Sequence, residues 1–133
     1  MLEEERMKAN QPTILIADDD TALLEALSCR LEHEGYRVFT TQDGYQALAI
    51  ARREQPDVLI LDISMPAGSG FSVRERIRAI DELAEVPVIF MTGHDIESIQ
   101  PAAFKLGATT VLQKPFESAE LGLAIHTALQ SAA

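Results

Sequence analysis

Five short apolar runs recur along the chain, each leaving into polar or turn residues. They are Thr13–Ala17 (T-I-L-I-A), Tyr36–Thr40 (Y-R-V-F-T), Val58–Leu61 (V-L-I-L), Pro87–Met91 (P-V-I-F-M) and Thr109–Leu112 (T-T-V-L). Runs of four or five residues rich in Val, Ile and Leu predict strands, and continuous rather than alternating ones predict strands buried on both faces. The second run alternates more and predicts an edge strand. Between the runs the apolar period changes to that of a helix. Leu23, Leu24, Leu27 and Leu31 share one face, ahead of Gly35 as a terminating glycine. Ala47, Leu48, Ile50 and Ala51 do so after the Asp43-Gly44 turn, ending near Gln55-Pro56. Phe71, Val73, Ile77 and Ile80 form a third face, and Leu121, Ile125 and Leu129 a last one. The fourth helix carries Pro101. Proline is tolerated in a first turn, so this helix is expected to begin late, with Ser98 as its cap, and to stop at Gly107.

Five strands and five helices in strict alternation predict an α/β fold with parallel strands and right-handed crossovers. The economical form is one flavodoxin-like, doubly wound five-stranded sheet of order 2-1-3-4-5. At 133 residues the chain is expected to hold one domain over residues 13–130, preceded by a flexible charged extension over 1–12.

Composition narrows the function. No apolar run approaches the ~20 residues that span a bilayer, so no membrane role is expected. A single cysteine, Cys29, excludes an internal disulfide framework and fits a reducing cytoplasm. It falls opposite the leucine face and reads as an exposed bystander. The net charge of −10 argues against direct contact with nucleic acid.

In an open α/β sheet, ligands bind at the carboxyl ends of the strands. The predicted order makes strands 1, 3, 4 and 5 contiguous. Their ends deliver Asp18, Asp19, Asp62, Thr92 and Lys114 to one rim. Three carboxylates so close repel one another unless a cation joins them. A hard divalent ion suits oxygen ligands, and Mg²⁺ suits few carboxylates, retained waters and a phosphate oxygen. Lys114 adds a positive charge and Thr92 a hydroxyl, so the rim could take a dianionic phosphoryl group. A carboxylate can itself be a nucleophile toward phosphorus, and Asp62, ending the central strand, is the candidate. Asp20 reads as a helix-start residue, His33 and His126 as solvated, and Arg74, Arg76 and Arg78 as a solvated face. His94 reads as an exposed rim histidine in preference to a base or ligand.

Four segments carry a family resemblance. Ile14–Asp20 (I-L-I-A-D-D-D), Leu59–Gly70 (L-I-L-D-I-S-M-P-A-G-S-G), Pro87–Gly93 (P-V-I-F-M-T-G) and Gly107–Phe116 (G-A-T-T-V-L-Q-K-P-F) resemble, in order and spacing, the receiver domain of two-component response regulators. The resemblance spans about Thr13 to Leu129. It implies that Asp62 accepts a phosphoryl group from a phosphohistidine on a sensor kinase or phosphotransfer protein. It implies Asp19 as a direct Mg²⁺ ligand, Asp18 as one acting through water, and the Ser64 backbone carbonyl as a further ligand. Thr92 and Lys114 would hydrogen-bond the phosphoryl oxygens, with a cis peptide at Lys114-Pro115. Ser64 and His94 flank the site at positions where side chains can gate water and so affect the lifetime of the acyl phosphate.

The output would leave through the fourth helix, fifth strand and fifth helix (roughly Ser98–Leu106, Thr109–Leu112 and Glu117–Leu129). It would reach an effector protein, a fused output domain or a phosphorylation-dependent homodimer. The chain departs from the family at Val111, where receivers carry an aromatic switch residue, and at Pro101. Both departures fall on the output face and imply an altered output response with intact phosphorylation chemistry. Two other readings of the rim are an Mg²⁺-dependent phosphohydrolase with an aspartyl nucleophile and a pseudo-receiver acting only in protein interaction. The first has only an approximate match in Asp18-Asp19-Asp20-Thr21 and no room for a cap domain. On the leading reading the protein is a signalling module rather than an enzyme.

Overall fold

A computed structural model describes residues 11–65 and 69–131. The expected extension over 1–12 therefore lies almost wholly outside the described residues, as do residues 66–68 of the loop after Asp62. The elements are β1 (Thr13–Ala17), α1 (Thr21–His33), β2 (Arg37–Thr41), α2 (Gly44–Glu54), β3 (Val58–Asp62), α3 (Gly70–Arg78), a 3-10 turn (Asp81–Leu83), β4 (Val88–Thr92), α4 (Ile96–Lys105), β5 (Ala108–Gln113) and α5 (Ser118–Ser131). The strands form one parallel sheet of order β2-β1-β3-β4-β5, as the alternating pattern predicts. Among the described residues no helix is long and apolar enough to cross a membrane.

The continuous apolar runs arise because successive strand residues feed two cores. Ile14, Ile16, Val58, Ile60, Ile89, Met91 and Leu112 pack against Leu24, Leu27 and Leu31 of α1 and Leu121, Ile125 and Ala128 of α5. Leu15, Leu59, Leu61, Val88, Phe90 and Val111 point the other way, against Ala47 and Ala51 of α2, Val73 and Ile77 of α3, and Ala103 of α4. A polar residue in the interior of β1, β3 or β4 would meet one core or the other. Side-chain caps set the helix starts. Asp20, Asp43, Ser69 and Asp95 accept from the backbone N–H of Leu23, Gln46, Ser72 and Glu97, respectively. Gly35 and Gly107 lie just beyond α1 and α4 at φ of +100° and +78°, where a side chain would be strained.

Two expectations are corrected. α4 begins at Ile96, capped by Asp95, so Ser98 lies inside it and Pro101 falls in its second turn. The Ser98 hydroxyl instead donates to the Asp95 carbonyl at 2.9 Å. Proline has no N–H to offer the Glu97 carbonyl, but Glu97 is exposed and water can take that place. Arg74 is not on a solvated face. It is 4% exposed, with Nε donating to the Leu106 carbonyl at 3.1 Å and Nη1 to the Val86 carbonyl at 2.7 Å.

Candidate functional site

Strand register assembles the rim. Ala17 pairs with Leu61, so Asp18 leaves β1 level with Asp62 at the end of β3. Asp62 pairs with Met91, and Thr92 with Gln113, so Lys114 leaves β5 one residue beyond the end of β4. The Lys114 N–H donates to the Thr92 carbonyl at 2.7 Å and holds that exit in line. Side-chain alternation then sorts the residues. Asp62 and Lys114 continue the series of Ile60 and Leu112, on the α1/α5 side of the sheet. Thr92 continues the series of Val88 and Phe90, on the other side.

That sorting is visible in the contacts. Lys114 Nζ donates to Asp18 Oδ2 at 2.6 Å and to Asp62 Oδ2 at 3.2 Å. The second oxygen of each carboxylate is held by the main chain. Asp18 Oδ1 accepts from the Asp20 N–H at 2.9 Å and Asp62 Oδ1 from the Ser64 N–H at 3.0 Å. Thr92 is fully buried, and its hydroxyl oxygen accepts from the His94 N–H at 2.9 Å. Among the described residues the Thr92 hydroxyl makes no hydrogen bond to Asp18, Asp62 or Lys114. Sequence position alone brings Thr92 to the rim; in this structure it stands beside the ionic cluster without joining it.

Asp18 is fully buried and Asp62 is 4% exposed, whereas Asp19 is exposed. Burial pushes the Asp18 carboxyl above its ordinary value, and the charge of Asp62 adds to the rise. The Lys114 and Asp20 hydrogen bonds oppose it without cancelling it. For Lys114 burial acts downward, but the bond to Asp18 and the charges of Asp18 and Asp62 outweigh it, and the ammonium is held above its ordinary value. One ammonium thus serves two enclosed carboxylates, and a third carboxylate adjoins them. Asp18, Asp19 and Asp62 each place an oxygen so that all three lie within 4.8 Å of one another. Hard oxygen donors at that spacing, with partial charge compensation, suit a hard divalent cation.

His94 and Ser64 are both exposed at the rim. The Lys114-Pro115 peptide is cis, as the resemblance implies. Val111 is 8% exposed and packs within the core shared with Phe90 and Ala103. Sequence reasoning missed Gly70. It opens α3 directly against the end of β3: a Cβ there would fall well inside contact with the Asp62 carbonyl oxygen and 2.9 Å from its carbonyl carbon. The signal was a glycine at a helix start, where a capping serine already stood at Ser69.

The family model described as the response regulator receiver domain matches residues 14–126. The probable transcriptional regulatory protein TcrX of Mycobacterium tuberculosis is 35% identical over 126 residues, covering 94% of this chain and 53% of that protein. The DNA-binding dual master transcriptional regulator RpaA of Synechocystis is 39% identical over 112 residues, covering 83% of this chain and 46% of that protein. The chain thus spans about half the length of the curated relatives it matches. Among solved structures, the Vibrio cholerae chemotaxis protein CheY4 superposes with a TM-score of 0.84 at 29% identity, covering 90% of this chain and 99% of that one. The receiver domain of the sensor histidine kinase PA1611 from Pseudomonas aeruginosa, with a magnesium ion coordinated in its active-site cleft, gives a TM-score of 0.82 at 28% identity. It covers 90% of this chain and 98% of that one.

Proposed function

Because the chain belongs to the response-regulator receiver domain family, we propose that Asp62 is its phosphoacceptor and that Asp18, Asp19, Asp62 and the Ser64 backbone carbonyl hold Mg²⁺. The observation that carries this is the double hydrogen bond of Lys114 to Asp18 and Asp62, beside a third carboxylate within 4.8 Å. Mg²⁺ bound there would offset the repulsion among the carboxylates and the charge of an incoming phosphoryl group.

The chain's own residues do the rest. The Ser64 N–H fixes one Asp62 oxygen, which orients the carboxylate. An Asp62 oxygen forms a bond to phosphorus as the phosphorus–nitrogen bond of a donor phosphohistidine breaks. The electron pair leaves with the imidazole, which takes up a proton. Lys114, already bonded to Asp62, pairs with the new phosphoryl oxygens. The Thr92 hydroxyl, accepting only from His94 among the described residues, retains its proton to donate to them. This requires Thr92 to turn from the α2/α3/α4 side toward the Asp62 side, and that movement couples phosphorylation to β4 and to α4 beyond it.

The receiver unit then runs over 13–130, with 1–12 as an extension. The phosphoryl donor is a sensor histidine kinase or phosphotransfer protein in the cytoplasm. The output face of α4, β5 and α5 meets an effector, a fused output domain or a second phosphorylated copy. The protein acts as a signalling module, not as an enzyme turning over an external substrate.

Incubation with acetyl phosphate and Mg²⁺ tests this reading by intact mass. One phosphoryl group is expected on the wild type and none on Asp62→Ala. Steady hydrolysis of phosphate esters would reject it in favour of a phosphohydrolase. Failure to label at all would leave a pseudo-receiver.

A further inference from the structure

At the opposite end of the sheet from Asp62, α3 and the entries to β4 and β5 border a solvent-open cavity of about 320 Å³. Its lining includes Arg74, Arg78, Glu85, Gly107, Thr109 and Ser131. The side chain that stands out is Arg74. A guanidinium offers five N–H donors and no acceptor. Arg74 is only 4% exposed, yet it pairs with no carboxylate among the described residues. Its Nε and Nη1 are engaged by the Leu106 and Val86 carbonyls. Nη2 makes no hydrogen bond among the described residues. It lies 3.6 Å from where a Cβ on Gly107 would stand, and Gly107 lines the same cavity.

Arg78, one helical turn on, faces the same cavity and is exposed. Its Nη1 reaches the Lys105 carbonyl only at 3.4 Å, so most of its donors are unengaged by the described residues. Burial lowers the Arg74 pKa and the charge of Arg78 lowers it further; Glu85 opposes them. Among the described residues Glu85 is the one carboxylate in the lining, against two guanidinium groups, so the described lining carries net positive charge in a chain of net charge −10. No buried side-chain nitrogen among the described residues lacks a partner, so the unbonded Nη2 edge of Arg74 is reached by solvent; beside a second guanidinium it offers an anion fixed donors.

We propose that this cavity binds a phosphate group, free or carried as the monoester of a small metabolite, on Arg74 Nη2 and the Arg78 guanidinium. Guanidinium forks match phosphate oxygens in geometry as well as charge. The cavity volume exceeds what a bare oxyanion fills and leaves room for an ester's organic part. Nη2 can donate to the anion while Nε and Nη1 keep their carbonyl partners, so occupancy adds to the tie between α3 and the end of α4. The site is independent of the phosphorylation chemistry: it shares no residue with the Asp62 rim.

The test is an amide-shift titration of the protein in EDTA, which removes divalent cations from the carboxylate rim, at fixed ionic strength. The probes are inorganic phosphate, glycerol 3-phosphate and, as control, chloride. Saturable shifts at Gly107, Thr109 and the Arg74 Nε–H are expected with at least one phosphate probe. Tighter binding of glycerol 3-phosphate would identify a monoester as the ligand; equal or weaker binding would identify the free anion. Arg78→Gln, an exposed position, should weaken binding on the order of tenfold, and Arg74→Met should abolish it if that variant folds. Shifts that are linear, that chloride reproduces, or that Arg78→Gln leaves unchanged would overturn the proposal.

Discussion

Lys114 donates to Asp18 at 2.6 Å across the site, from the exit of β5 to the exit of β1, with the Asp62 carboxylate between the two strands taking a second bond. One side chain therefore balances two carboxylates that the sheet has removed from water. Replacing it should cost more than an exposed ion pair would, because two enclosed anions lose their cation. Lys114→Met is expected to lower stability by about 1–3 kcal/mol in EDTA, read from urea unfolding. If Mg²⁺ binds the same carboxylates, millimolar Mg²⁺ should return much of that loss, and should stabilise the variant more than the wild type. Equal Mg²⁺ effects on both proteins would count against the proposed metal site.

The buried Asp18 carboxyl carries a pH signature of its own. Its folded pKa is raised above the ordinary 3.8, chiefly by burial. Below that value both folded and unfolded chains hold the proton. Above it the unfolded chain releases the proton first, so folding is opposed increasingly as the pH climbs through the folded value. In EDTA, stability attributable to Asp18 should therefore fall as pH rises from about 4 toward neutrality. Asp18→Asn should remove that part of the profile and melt higher than the wild type at pH 7. Thermal unfolding at several pH values decides it; parallel profiles for the two proteins would be the contrary result.

Gly70 fixes how closely α3 can approach the end of β3. Any Cβ there overlaps the Asp62 main chain, which is held in the sheet and cannot move aside cheaply. Gly70→Ala should destabilise the fold by about 1–3 kcal/mol despite the better helix propensity of alanine. It should also slow labelling of Asp62 by acetyl phosphate, since the displaced carbonyl belongs to the proposed phosphoacceptor. Gly122, in α5, is the matched control, because a methyl group added there would have nothing within 4 Å. Gly122→Ala should be neutral or stabilising.

These positions also show how much of the molecule could be read from its sequence. The five apolar runs predict the sheet and its order because each strand of a parallel sheet meets a core on both faces, leaving an unbroken hydrophobic signature. Asp18, Asp62 and Lys114 were legible for the same reason: each is the first charged residue beyond, or at the end of, such a run. Arg74 was not. It sits beside Val73 and one turn before Ile77 on a nine-residue helix, and charge alone suggested solvent. What buries it is a pair of carbonyls, at Val86 and Leu106, 12 and 32 residues away. The start of α4 was hidden by a sound rule about proline applied where an exposed carbonyl weakens its force. Alternation along β4 places Thr92 on the side opposite Lys114, a relation that depends on register, which the sequence does not spell out.

Pro101 is the residue through which α4 is most open to test. In the second turn of the helix it leaves the Glu97 carbonyl without its N–H partner, and interior proline costs a helix about 3 kcal/mol at most sites. Here Pro101 is exposed and sits only five residues from the helix start, so the cost should be smaller. Pro101→Ala is expected to stabilise the protein by roughly 1 kcal/mol and to slow amide exchange between Ile96 and Gln100 in particular. If α4 must rearrange when Thr92 turns toward phosphorylated Asp62, the same variant should weaken that response. The measurement compares amide shifts of α4 with and without beryllofluoride. A full-sized response in Pro101→Ala would separate α4 stiffness from signal output, and the proline would then be a local feature of the helix alone.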